Sequence, residues 1–185
     1  HEHFHQLQMS RPTYYSQVND LGLSNGSDNG MWMLNYPFPY SDAEIGAAVR
    51  GLGDIVRSLA IDRRSGPTSG TSASVFLQAR TRLSEALDEH DDRYLTFQLW
   101  QEGVARYAEL DAAEHAATSF SVSEGFAALP GVISFEDAAG DLWASIASGI
   151  DADLAEAERV YFYSLGALES VLLEAERPGW RARYT

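Results

Sequence analysis

The sequence contains no cysteine and no lysine, and these two absences exclude several kinds of chemistry. Without cysteine the chain has no disulfides, no thiolate metal site and no cysteine nucleophile. Without lysine it has no Schiff-base chemistry and no phosphate-binding P-loop. Any metal site in this chain therefore cannot be closed into a structural centre by thiolates.

Positive charge and long apolar runs are also scarce. Thirteen arginines against 27 acidic residues give a formal net charge of −14, so the chain repels phosphate backbones and we expect no nucleic-acid partner. No run approaches the roughly 18 apolar residues of a transmembrane helix, so no transmembrane segment is expected. The length of 185 residues with 45% apolar residues fits one globular domain or part of one.

The chain begins His1-Glu2-His3-Phe4-His5, which contains the pattern H-E-x-x-H. Positions i and i+4 share one face of a helix, so His1 and His5 can bind one metal ion. Zinc suits neutral imidazole and lowers the pKa of a bound water to about 7. Glu2, about 100° round the helix from His1, then has the reach and pKa of a general base. The alternative interpretation is a solvated tail of histidines.

The start of the chain has neither an initiator methionine nor a recognisable signal peptide. We therefore expect a C-terminal portion of a longer protein, with the upstream sequence removed. The sequence leaves the cellular compartment open.

The hydrophobic spacing predicts a mainly α protein with no strand pattern and no internal repeat. The predicted segments are a helix over 1–10, a loop over 11–40, a helix pair over 42–89 (helices at 42–62 and 72–89 joined by a polar linker at 68–71), a helix over 92–117, a loop over 119–133, and C-terminal helices within 135–185 (135–148 and 151–176). A capping box at 41–44 is expected to start the first helix of the pair.

Glu102 lies on the same helical stripe as Leu95 and Leu99. A carboxylate in line with apolar residues is unusual for a solvated face, so this position stands out.

Two other histidines are not expected to bind the metal. His3 faces away from the paired histidines and is not expected to be a ligand, and His115 is interpreted as a surface or capping residue.

Two segments now resemble the gluzincin zinc metallopeptidases, the thermolysin-like zincins, most closely in motif the aminopeptidase N and glycyl aminopeptidase types. The first is the H-E-x-x-H pattern at residues 1–5. The second is W-Q-E-G-V-A at 100–105, which is similar to the family's W-x-E-G-x-A segment. In that family the glutamate is the third zinc ligand, so the resemblance implies this role for Glu102.

A third segment, Y-S-L-G-A-L at 163–168, is similar to the family's Y-x-x-G-A helix, and the three follow the family's order. The resemblance implies that Tyr163 donates a hydrogen bond to the oxyanion of the transition state. Tyr161 lies two residues away and points in another direction, and the spacing to Gly166 favours Tyr163. Gly166 is also expected to allow close approach of a neighbouring helix.

The resemblance implies a mainly α, C-terminal helical part of a zincin-like catalytic domain, whose small upstream sheet is not in this chain. The implied function is a zinc-dependent peptide hydrolase, with Zn²⁺ on His1, His5 and Glu102, and with Glu2 and Tyr163 as catalytic residues. The partners are a peptide or protein substrate and the upstream part of the same protein. The alternatives are a catalytically inactive zincin-like domain or a helical binding or scaffold domain, and exopeptidase against endopeptidase is open.

The sequence only suggests which residues hydrogen-bond the metal ligands on the side away from the metal; we call these residues outer partners. Metal-bound histidines usually donate their second N–H to a carboxylate or carbonyl, and Glu109, Asp111 and Glu124 are all candidates. Arg106, one turn after the third ligand, is either a brace for a carboxylate or part of a surface ion pair.

Overall fold

A computed structural model describes residues 1–27, 29–66 and 73–184, the side chain of Arg183 excepted. Over these ranges the protein is mainly α-helical and contains no strand, as the hydrophobic spacing predicts. The polar linker predicted at 68–71 lies outside the described residues. No helix in the described part of the chain is long and apolar enough to cross a membrane.

The elements follow one another in a simple order along the chain. They are α1 (Glu2–Met9), α2 (Tyr14–Asp20), α3 (Trp32–Asn35), α4 (Ala43–Arg64), α5 (Ala73–Ala86), α6 (Glu89–Gln98), a π-helical segment called the π turn (Leu99–Gly103), α7 (Val104–Ser119), α8 (Glu124–Ala127), α9 (Phe135–Ser148), a 3₁₀ turn (Gly149–Asp151), α10 (Leu154–Ala157), a second 3₁₀ turn (Glu158–Val160), α11 (Tyr161–Glu176) and a third 3₁₀ turn (Trp180–Arg183).

Side-chain caps fix where several helices begin. The Asp42 carboxylate accepts from the backbone N–H groups of Glu44 and Ile45, at 2.9 and 3.0 Å, so the cap of α4 is Asp42 rather than Ser41. Asp88 caps α6 in the same way. The charged run at 88–92 is therefore a helix start.

The helix predicted over 92–117 is a continuous rod over 89–119 that contains the π turn. Within it the backbone N–H of Val104 donates to the carbonyl of Leu99, five residues back, which is π-helical pairing. The sequence does not predict this feature, because one inserted residue leaves the apolar pattern on either side intact. π turns occur frequently at functional sites.

Helix α11 is central to the fold, and its inward side chains Phe162, Leu165 and Leu168 are fully buried. It meets the π turn at backbone distance. A Cβ added to Gly103 would lie 2.4 Å from Gly166 Cα, and one added to Gly166 would lie 2.7 Å from Gly103 Cα. The expected close approach at Gly166 is confirmed, and it needs glycine on both helices.

The loop predicted over 11–40 is wrong in two places, because it contains α2 and α3. Tyr14 and Val18, four residues apart, put an apolar face of α2 into the core. Trp32 in α3 is buried as well. Both helices are too short to give a clear periodic signal.

The C-terminal helix predicted over 151–176 is also wrong at its start, since α11 begins at Tyr161. The chain there is broken into short turns, and Glu158 has a positive φ of 48° that no continuous α-helix accepts. The predicted loop over 119–133 contains one helical turn, α8. The helix predicted over 135–148 is confirmed as α9, capped by Ser134.

Candidate metal centre

The side chains of His1, His5 and Glu102 meet in one place. His5 Nε2 lies 3.1 Å from Glu102 Oε2 and 3.1 Å from His1 Nε2, and His1 Nε2 lies 3.2 Å from Glu102 Oε2. Ligand atoms of a tetrahedral zinc centre lie about 3.3 Å apart, given metal–ligand bonds of about 2.0–2.1 Å. The three atoms therefore have the spacing of three corners of such a centre.

Two local features of the backbone bring these side chains together. His1 is the N-cap of α1 and His5 lies one turn later on the same face. Glu102 projects from the π turn, so the inserted residue helps to set the direction of its carboxylate. All three side chains are largely buried, which removes competing water from around the donor atoms.

The outer nitrogen of His5 is fixed by Gln8. His5 Nδ1 donates to Gln8 Oε1 at 2.7 Å, which leaves Nε2 as the nitrogen that faces His1 and Glu102. The hydrogen bond with Glu102 is the main cause of a raised pKa for His5, and burial acts in the opposite direction. Metal binding at His5 therefore competes with a proton.

Gln8 also joins α1 to the π turn. Its amide nitrogen donates to the Gln101 carbonyl at 3.1 Å and to the Tyr184 hydroxyl at 2.6 Å, and that hydroxyl donates to the Trp100 carbonyl at 2.9 Å. Two carbonyls of the π turn are thus paired with side chains. The sequence analysis missed Gln8, although its spacing of three and seven residues from the two histidines places it on their face of the helix.

Tyr163, and not Tyr161, lies beside the candidate centre. Its ring stacks on the His1 ring with centroids 5.5 Å apart and planes 11° apart. Burial and the nearby Glu102 carboxylate raise the pKa of Tyr163 to about 12, so its hydroxyl keeps its proton at neutral pH. Tyr161 is buried in the core and donates to the Ile150 carbonyl at 3.4 Å.

Arg159 is a further group at this place that the sequence analysis missed. Its Nη1 donates to the Tyr163 hydroxyl and lies 3.8 Å from Glu102 Oε1. Arg159 is four residues before Tyr163 but belongs to the 3₁₀ turn ahead of α11. The turn is what brings the guanidinium to both partners.

Glu2 is exposed in the first turn of α1, directly after His1. Among the described residues its carboxylate makes no hydrogen bond and no ion pair, so it can accept a proton from another partner. His3 is exposed and lies outside the cluster, and His115 is exposed and contacts the Ser119 hydroxyl.

Only one of the three suggested outer carboxylates approaches a ligand. Glu109 Oε2 lies 3.8 Å from His1 Nδ1, and Arg106 holds that same oxygen at 2.7 Å. Asp111 instead pairs with Arg181, and Glu124 belongs to the exposed turn α8. Arg106 is thus the brace of a carboxylate that faces the centre.

Comparisons of the chain with protein-family models, curated proteins and solved structures give no match. The gluzincin interpretation therefore continues as a proposal based on three motifs and on the geometry of their residues.

Proposed function

We propose that this chain carries the metal centre of a zinc-dependent peptide hydrolase of the gluzincin type. One observation supports the proposal above all others. His5 and Glu102, 97 positions apart in the sequence, present their donor atoms 3.1 Å from each other, with His1 at the same distance from His5. Those three residues are the ones that two separate motifs single out as ligands.

The donor set fits zinc better than the hard cations. Two imidazole nitrogens and one carboxylate oxygen form the ligand set of a catalytic zinc centre with an open fourth position. Calcium and magnesium prefer sites made of oxygen atoms. Bound there, zinc would polarise the scissile carbonyl and lower the pKa of a water to about 7.

Two side chains of the chain then handle the protons and the developing charge. Glu2, exposed and unpaired among the described residues, takes the proton of the attacking water and passes it to the leaving amine. Tyr163, protonated at neutral pH, donates a hydrogen bond to the carbonyl oxygen as that oxygen becomes negative. Arg159 orients the Tyr163 hydroxyl and adds positive charge nearby.

The test combines zinc analysis with peptide hydrolysis. The protein loaded with zinc and passed through gel filtration is expected to hold about one zinc ion per chain and to cleave peptides from a mixed library. Glu2→Gln should keep the zinc and lose at least about 100-fold in rate, because the amide cannot accept the proton. Glu85→Gln, an exposed carboxylate of α5, is the matched control and should keep full activity.

Two results would contradict the proposal. A chain that binds no zinc, and whose melting temperature is the same with and without a chelator, would be a helical binding domain. A chain that binds zinc at His1, His5 and Glu102 but cleaves no peptide in the library would be an inactive zincin-like domain.

A further inference from the structure

A second candidate site lies in a cavity between α5, the π turn and α11. It has a volume of about 520 Å³, and none of the candidate zinc ligands lines it. Its wall is mostly apolar and aromatic, including Phe76, Leu77, Leu99, Trp100, Leu172 and Trp180. This size and lining are typical of pockets that hold small organic molecules.

The cavity contains an acidic side chain, one oxygen of which has no hydrogen-bond partner among the described residues. Glu169, on α11, lines the wall, and its Oε1 is fully buried with no hydrogen-bond partner among the described residues. Burial raises the pKa of Glu169 to about 7. A buried carboxylate oxygen that lacks a hydrogen bond is costly, so the geometry favours a ligand that supplies a donor.

The cations nearby do not fill this role. Arg80, on α5, donates to Ser84, Asp92 and Thr96, at 2.6, 2.9 and 2.8 Å, and makes no hydrogen bond to Glu169. Its charge only partly offsets the effect of burial on Glu169. Among the other charged residues of the wall, Arg177 lies exposed at the end of α11, and Glu176 pairs with Arg63. Among the described residues, no cation therefore pairs with Glu169.

We propose that this cavity binds a small amphiphilic amine, with the ammonium group on Glu169 and the apolar chain along the aromatic and aliphatic wall. An ammonium group supplies both a positive charge and several N–H donors to the unpartnered oxygen. Trp100 and Trp180 also line the cavity, and aromatic rings attract cations. The volume has room for on the order of 15 non-hydrogen atoms.

The charge of the ligand distinguishes this site from a plain apolar cavity. A neutral alcohol of the same chain length buries the same apolar surface but brings no charge. A carboxylate brings a negative charge toward Glu169, which is unfavourable. The order of affinity expected is therefore amine, then alcohol, then carboxylate.

The experiment compares n-octylamine, 1-octanol and octanoate by calorimetric titration at about pH 8. Octylamine is expected to bind the wild-type chain most tightly and to bind Glu169→Gln at least about tenfold more weakly, since the charge-assisted hydrogen bond is lost. Octanol binding should change little in that variant. Glu85→Gln removes an exposed acid from α5 and should bind octylamine like the wild type.

Two further measurements locate the ligand. Leu173→Trp, at the partly exposed wall of the cavity, should weaken both octylamine and octanol by narrowing the space. Treatment with a chelator should leave octylamine binding unchanged, because the candidate zinc ligands do not line the cavity. The proposal is overturned if no amine binds, if Glu169→Gln binds octylamine as tightly as the wild type, if Leu173→Trp has no effect, or if amine binding needs zinc.

Discussion

Glu102 lies on the π turn and Glu169 lies on α11. These two elements contact each other through Gly103 and Gly166. The two carboxylates differ in what surrounds them. Around Glu102 stand groups that carry or share protons, namely His1, His5, Arg159 and Tyr163. Around Glu169 the wall is mostly apolar, and its Oε1 has no partner in the described structure.

The difference shows that burial of a carboxylate does not by itself indicate a function. Glu102 shares its site with two imidazoles at bonding separation for a metal, so it fits the role of a ligand in a set. Among the described residues Glu169 has no such set and its buried Oε1 has no hydrogen-bond partner, which is why we propose a ligand there. The same residue type on neighbouring helices thus supports two different kinds of binding.

The largest effect is expected for Glu102→Ala, which removes one of the three proposed ligands. Zinc affinity should fall by more than about 100-fold. That figure is the upper end of the loss expected when a residue that only hydrogen-bonds a ligand is removed. Zinc titration against a chelator of known affinity measures this. The matched control is Glu85→Ala, which removes an exposed carboxylate of α5 outside the ligand set. An unchanged zinc affinity in Glu102→Ala would show that the third ligand is another residue.

The second-largest effect is expected at the contact between Gly103 and Gly166, which lies between Glu102 and Glu169. Gly166→Ala would place a Cβ 2.7 Å from Gly103 Cα and 2.8 Å from the Leu99 carbonyl oxygen. The helices must then separate, and we expect the free energy of unfolding to fall by about 3 kcal/mol.

Gly51 on α4 is the control for this substitution, because a Cβ there meets nothing within 4 Å. Gly51→Ala should stabilise the protein by about 0.5–1 kcal/mol through better helix propensity. Urea denaturation of both variants separates the steric effect from the intrinsic one. Equal stability of Gly166→Ala and the wild type would mean that the two helices do not meet at this distance.

Glu169→Gln tests the other carboxylate through the pH dependence of stability. The pKa of Glu169 is raised to about 7, so the folded state holds this proton more tightly than the unfolded state does. The stability that the protonated form contributes is present below the unfolded pKa of about 4.3 and is lost as pH rises toward 7.

The neutral amide of Glu169→Gln does not have this pH dependence. Relative to the wild type, the variant should gain about 3 kcal/mol between pH 4 and pH 8, and Arg80 is the cation that keeps the pKa of Glu169 from rising further. Urea denaturation at both pH values measures it, and Glu85→Gln should show no such change. A constant difference between Glu169→Gln and the wild type at both pH values would place the carboxyl in contact with water.

The sequence predicts the long helices well, because their signals are local. The Ser134 cap and the apolar stripes of α4 and α9 are visible without coordinates, although the cap of α4 is Asp42 and not the predicted Ser41. The short helices α2 and α3 lie among turn residues and bury too few side chains to show a period. The break before α11 depends on a positive φ at Glu158, a residue that gives no glycine signal.

The candidate site, too, was predicted where the sequence carries a local signal and missed where it carries none. The motifs name His1, His5 and Glu102 as candidate ligands, and the structure brings them together. The π turn that holds Glu102 leaves no trace in the spacing of apolar residues, so it could not be predicted. Arg159 reaches Tyr163 only because a 3₁₀ turn precedes α11, and that turn was expected to be α-helix.

The smallest effect is expected at Gln8, which has no counterpart around Glu169. Gln8→Met keeps the length of the side chain but removes the acceptor for His5 Nδ1 and the donor to the Gln101 carbonyl. Zinc affinity should fall by about tenfold, at the lower end for an outer partner, because Glu102 still contacts His5.

Gln6→Met, at an exposed position of the same helix, is the control and should leave zinc affinity unchanged. A loss in Gln8→Met as large as that in Glu102→Ala would mean that the partners of the ligands contribute as much as the ligands themselves. In that event the contrast between the two carboxylates would lie in the network behind Glu102 rather than in the groups that touch it.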